Sequence, residues 1–97
     1  VLGGLIMAKY RKKPVAIDAI QWTKTTNLYE LMDFLEDINE ECRLVYELKE
    51  GRMICFVTTL EGNMMVSDGD YIIKGVKNEI YPCKEDVFLA TYEKVED

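Results

Sequence analysis

Histidine is absent from the chain, proline occurs only twice and tryptophan once. Without histidine, the commonest general base and the commonest metal ligand are both missing. Cysteine is sparse as well: Cys42, Cys55 and Cys83 are an odd number at wide spacing, with no Cys-x-x-Cys. Zinc sites need closely spaced thiolates or imidazoles, so no metal site is expected. Long apolar runs are also lacking. The stretch 2–8 has no basic residue before it and is too short to span a bilayer. It reads as neither a signal peptide nor an anchor. Met7 is the expected natural start, with 1–6 an upstream-start extension and the compact part at about 9–96. The expected location is cytoplasmic, with reduced thiols and no membrane contact.

What the chain does hold is ordinary for a globular protein: 97 residues, 48% hydrophobic and 31% charged. That supports one core, so 1–97 reads as a single domain. So short a chain has a thin stability margin, and self-association is one way to widen it. The net charge is −6, unevenly placed. Lys9, Arg11, Lys12 and Lys13 lie in the first 17 residues with no acid among them, leaving a body with a net charge of −10. Such a body repels phosphate backbones unless its bases are gathered in one place.

Patterning suggests α+β. Pro14 precedes a β-branched segment, 15–22, with apolar groups on both sides, as in a central strand. Asn27 has the chemistry of a helix N-cap, with Glu30 placed to reach back in a capping box. Leu28, Leu31, Met32, Leu35 and Ile38 follow at helical spacing, predicting a helix over 27–38. The period then falls to two. Strands are expected at 43–48, 53–59, 64–66, 70–74 and 79–83, with turns at 49–51, 61–63, 67–69 and 77–78. One helical turn at 84–89 and a terminal strand at 90–95 complete the reading. The expected architecture is one main helix packed on a curled, mostly antiparallel sheet, a meander or half-open barrel. With Lys77-Asn78 as a two-residue turn, Tyr71, Ile73 and Ile80 share one face of the last hairpin. Ile72, Lys74, Tyr81 and Cys83 share the other, which is then a candidate homodimer contact.

Two segments carry a resemblance. Lys9-Tyr-Arg-Lys-Lys-Pro-Val-Ala-Ile-Asp-Ala-Ile-Gln-Trp22 is similar to the opening of a family of small uncharacterised phage and prophage proteins. Val66-Ser-Asp-Gly-Asp-Tyr-Ile-Ile-Lys-Gly-Val-Lys-Asn-Glu-Ile-Tyr-Pro-Cys-Lys-Glu-Asp-Val-Phe88, followed by Thr91-Tyr92-Glu93, resembles that family's C-terminal signature. Members commonly have Pro at the place of Asp68, Gly at that of Asn78 and Pro at that of Glu85. These departures fall in turns and at a helix start. The resemblance covers both ends of the chain, leaves 27–59 unmatched, and implies a phage setting in a bacterial host cell rather than a reaction.

Chemistry is thinly represented. Cys55 sits in an apolar strand and reads as core, whereas Cys83, beside Lys84, is the one candidate reactive thiol. No phosphate loop, dinucleotide fingerprint or metal-ligand spacing occurs. No catalytic residue and no cofactor is expected, and the function read from the sequence is non-enzymatic: binding of a host or phage protein, or of a second copy in a homodimer. One alternative is an oligomeric binder that sequesters a nucleotide or other small anion, with Lys74, Lys77 and Lys84 as cations and Tyr71 or Tyr81 stacking on a base. Another is single-stranded nucleic-acid binding through Tyr10, Trp22 and the basic lead-in, which the acidic body opposes.

Overall fold

The computed structural model describes residues 7–95; the expected extension 1–6 lies outside them. The element order is β1 (Asp18–Gln21), α1 (Leu28–Leu35), β2 (Arg43–Lys49), β3 (Arg52–Thr59), β4 (Gly62–Val66), β5 (Tyr71–Lys74), β6 (Ile80–Cys83) and α2 (Glu85–Thr91). The strands form two three-stranded antiparallel sheets, ordered β1-β5-β6 and β2-β3-β4. The α+β class therefore holds, but the single curled sheet does not: β1 leaves the meander and pairs with β5, dividing the strands between two layers. The expected terminal strand is also replaced. Ala90 and Thr91 complete α2, and the described residues after it, 92–95, form no strand.

Local chemistry explains the junctions. Asn27 Oδ1 accepts the backbone N–H groups of Tyr29 and Glu30 at 2.9 and 3.2 Å and so starts α1. Leu31 is the buried residue of the helix, with Phe34, Leu35 and Ile38 half-buried beside it, whereas Leu28 and Met32 stay exposed. The buried stripe is thus rotated towards Phe34 from the one the spacing predicts. Glu50 and Gly51, at φ 51° and 76°, close β2 onto β3 as a two-residue type I′ turn. Asp70 N–H donates to Ser67 carbonyl at 3.0 Å around Gly69, whose φ of 92° is the left-handed conformation that the third residue of a type II turn requires.

The last hairpin differs from its expected register by one residue. Asn78 N–H donates to Gly75 carbonyl and Gly75 N–H to Glu79 carbonyl, so the loop has three residues, and its last, Asn78, is left-handed at φ 59°. Ile73 therefore lies opposite Tyr81, and Lys74 opposite Ile80. One residue of slip moves every side chain of β6 to the other face. Ile72 and Ile80 share the inner face with Ile20, and all three join the core formed with Trp22, Leu31, Cys55, Val57 and Val66. Tyr71, Ile73, Tyr81 and Cys83 share the outer face. The mixed apolar and charged face expected for a homodimer contact is accordingly split between two sides of the sheet.

Candidate functional site

The five candidate binding residues lie in four different places: the inner face of the hairpin, its loop tip, its outer face and the start of α2. Lys74 is on the inner face, its side chain 10% exposed, and its ammonium donates to Asp37 Oδ1 at 2.6 Å and to Phe34 carbonyl at 2.9 Å. It ties β5 to the end of α1, and the contact holds the Asp37 carboxyl below its ordinary pKa, chiefly through this hydrogen bond. Lys77 is at the exposed loop tip, where Asn39 Nδ2 donates to its carbonyl at 3.5 Å. Lys84 stands at the start of α2, 3.8 Å from the buried Asp70 carboxylate. The three lysines do not converge on one anion site.

The two tyrosines do share a face, but each meets an intramolecular partner. Tyr71 stacks on Phe88 of α2 at 3.8 Å between centroids, and Phe88 stacks on Tyr92 at 5.0 Å. Burial first, and then the neighbouring Tyr92, push the Tyr81 hydroxyl up to about 12. The Lys12 ammonium of the lead-in donates to the Tyr92 hydroxyl at 3.2 Å. Between lead-in and hairpin lies a groove of about 280 Å3 lined by Lys12, Lys13, Val15, Val76, Glu79 and Tyr81, among others. A second, of about 390 Å3, is acidic: Asp18, Glu30 and Asp33 surround Lys74 and Phe34. Glu30 is thus drawn to a groove rather than back to Asn27.

The thiols are free, and those with perturbed acidity are shifted away from reactivity. Cys55 is fully buried and pushed up to about 11 by desolvation. Cys83 is half-buried and also raised, first by burial and then by Asp70 and Asp86. Cys83, the one candidate reactive thiol of the sequence, is thus raised rather than lowered, and the adjacent Lys84 ammonium lies 3.8 Å from the Asp70 carboxylate. No group of His, Cys, Asp and Glu among the described residues could hold a metal ion. Trp22 is 7% exposed and packs in the core, so it offers no stacking face for a nucleobase, whereas Tyr10 is exposed.

The surface that sequence reasoning missed is the outer face of β2-β3-β4. Val45 lies opposite Phe56, and Phe56 opposite Met65, so three apolar side chains form a row across all three strands, with Ile54 beside it on β3. Val45 is 46% and Met65 60% exposed, and Phe56 and Ile54 are half-buried. Glu47 and Arg43 flank the row on β2. The signal was in β3 itself, where Ile54 and Phe56 alternate with the buried Cys55 and Val57: a strand that is apolar on both sides needs cover on both sides. No helix among the described residues is long and apolar enough to cross a membrane. Compared with family models, curated proteins and solved structures, the chain finds no match.

Proposed function

We propose that the protein is a non-enzymatic phage or prophage accessory protein that acts by binding a host or phage protein. The observation that carries this reading is the Val45–Phe56–Met65 row, an apolar strip flanked by Arg43 and Glu47 on the uncovered face of its sheet. An apolar centre with a charged rim is the anatomy of a protein contact, and contiguous apolar surface on a small protein marks such sites. The raised thiols support a binding role over nucleophilic chemistry. The test is affinity capture from lysate of infected host cells with wild-type, Met65→Glu and Lys77→Glu proteins. A partner retained by wild type and Lys77→Glu, and reduced at least about ten-fold by Met65→Glu, is the expected result. Equal capture by all three, with unchanged circular dichroism, overturns the reading.

A second reading, sequestration of a nucleotide or other small anion, is favoured by the groove beside the lead-in. There the Lys12 ammonium meets a phenol rather than a carboxylate, and Lys13 and Tyr81 line the same hollow. Calorimetric titration with a nucleoside monophosphate and with inorganic phosphate separates the two readings. Saturable heat that is lost in Lys12→Ala supports the anion site.

A further inference from the structure

β2 is an edge strand. Its seven residues are bonded to β3 on one side, and the sheet order leaves the other side without a strand among the described residues. Six of the seven are exposed, and Leu44 is half-buried. Because the β2-β3 hairpin closes on Lys49 opposite Arg52 around a two-residue turn, Lys49, Glu47, Val45 and Arg43 direct their backbone groups to β3. Leu44, Tyr46 and Leu48 direct theirs to the free edge. An unpaired ladder of this length is a template for another strand, and β2 contains neither a proline nor a bulge to blunt it.

Charge is the usual remaining defence, and here its order turns it into a recognition code. Residues equidistant from Val45 are complementary: Arg43 against Glu47, Glu41 against Lys49, Leu44 against Tyr46, Cys42 against Leu48. We infer that β2 pairs along its free edge with β2 of a second copy, antiparallel about a two-fold axis at Val45, joining two β2-β3-β4 sheets into one. A two-fold axis at that residue places each member of those pairs opposite the other. Every acid then faces a base, and every apolar residue an apolar one. Moving the axis to Tyr46 sets Arg43 against Lys49; moving it to Leu44 sets Glu41 against Glu47. Both alternatives put like charges together.

The backbone agrees with that axis. Val45, whose N–H and C=O are used inside the hairpin, meets its copy as a non-hydrogen-bonded pair, where side chains approach most closely. Leu44 and Tyr46 exchange their outward N–H···O bonds across the axis. Neither Arg43 nor Glu47 is ion-paired with a described residue within the chain. Pairing also covers part of Val45 and Tyr46, each 46% exposed, and Leu48, 72% exposed. The inference shares Val45, Arg43 and Glu47 with the partner-binding reading but concerns the β2 edge rather than the face of the sheet, and it is tested on pure protein.

The experiment is the concentration dependence of mass in solution, by sedimentation equilibrium, on the full chain. Wild type is expected to dimerise, and Glu47→Arg, which sets Arg43 against an arginine twice across the axis, to raise the dimer dissociation constant at least about ten-fold. The double variant Arg43→Glu, Glu47→Arg restores the dimer, and a mixture of the two single variants associates more tightly than either alone. These two arms separate pairing from any effect of the substitutions on folding. A wild type that stays monomeric, a Glu47→Arg protein that dimerises as wild type does, or a double variant that fails to recover overturns the inference. So does a monomer that instead takes up a foreign strand on β2.

Discussion

The two sheets solve the same problem in opposite ways. In β1-β5-β6 each strand has four residues, and both faces are covered, the inner by the other sheet and α1, the outer by Phe88 and Tyr92. In β2-β3-β4 the strands run to seven, eight and five residues, and only one face is covered. Short strands make few ladder bonds and depend on buried side chains, whereas long ones carry their own ladder and can leave a face and an edge to solvent. The first sheet is therefore where the fold is secured, and the second is where contacts are available.

The largest test of that contrast exchanges equivalent truncations between the sheets. Ile72 is fully buried at the centre of β5, so Ile72→Ala should cost about 2–5 kcal/mol in urea denaturation. Met65, 60% exposed on β4, should tolerate alanine within about 0.5 kcal/mol. Comparable losses at the two positions would mean that the open face is buried in solution, and the division of labour would fail.

How far this was legible in the sequence follows from the same contrast. Asn27, the Glu50-Gly51 and Gly69 turns and the alternation of Leu44–Leu48 and Met53–Thr59 are local signals, and the elements they announce are present. Asp70 accepting the Ser67 N–H at 2.9 Å is likewise local chemistry. What was not legible is long-range. Nothing local to 15–22 says that its strand leaves its sequence neighbours and pairs with β5. Nothing in Lys77-Asn78 alone separates a two-residue from a three-residue loop, and that single residue reassigned the faces of Lys74 and Tyr81. Lys74 looked like a free cation because Asp37, its partner, is 37 residues away. The charge order around Val45 was present in the sequence all along, but it acquires meaning only once β2 is known to be an edge.

The Lys74–Asp37 contact gives a pH test that should report on the first sheet alone. The Asp37 carboxyl is held below its ordinary value by the Lys74 hydrogen bond. A depressed folded-state pKa contributes stability that is fully present above the unfolded value, near pH 4, and is lost as pH falls through the lower folded value. Wild type should therefore exceed Asp37→Asn in urea midpoint near pH 6, with the gap closing below about pH 4. A gap that is constant down to the acid limit would show that Asp37 and Lys74 are not paired in solution.

The smallest effect lies at the other end of the pH scale and probes the cover on the outer face of β1-β5-β6. Tyr81 is pushed up to about 12, first by burial and then by the neighbouring Tyr92 and Glu79. In the unfolded chain a tyrosine ionises near pH 10, so between roughly 10 and 12 the unfolded state releases a proton that the folded state keeps. Stability must then fall as pH rises through that window. Tyr81→Phe has no such proton to hold, so its stability should decline less steeply than that of wild type from about pH 10 upward. Cys55, pushed up to about 11, produces a similar decline that begins at lower pH, but it does so in both proteins and cancels from the difference. Ultraviolet titration of the folded protein supplies the independent reading, a late phenol ionisation that is missing in Tyr81→Phe. If no phenol ionises late, Tyr81 is not covered in solution, and the first sheet is as open on its outer side as the second.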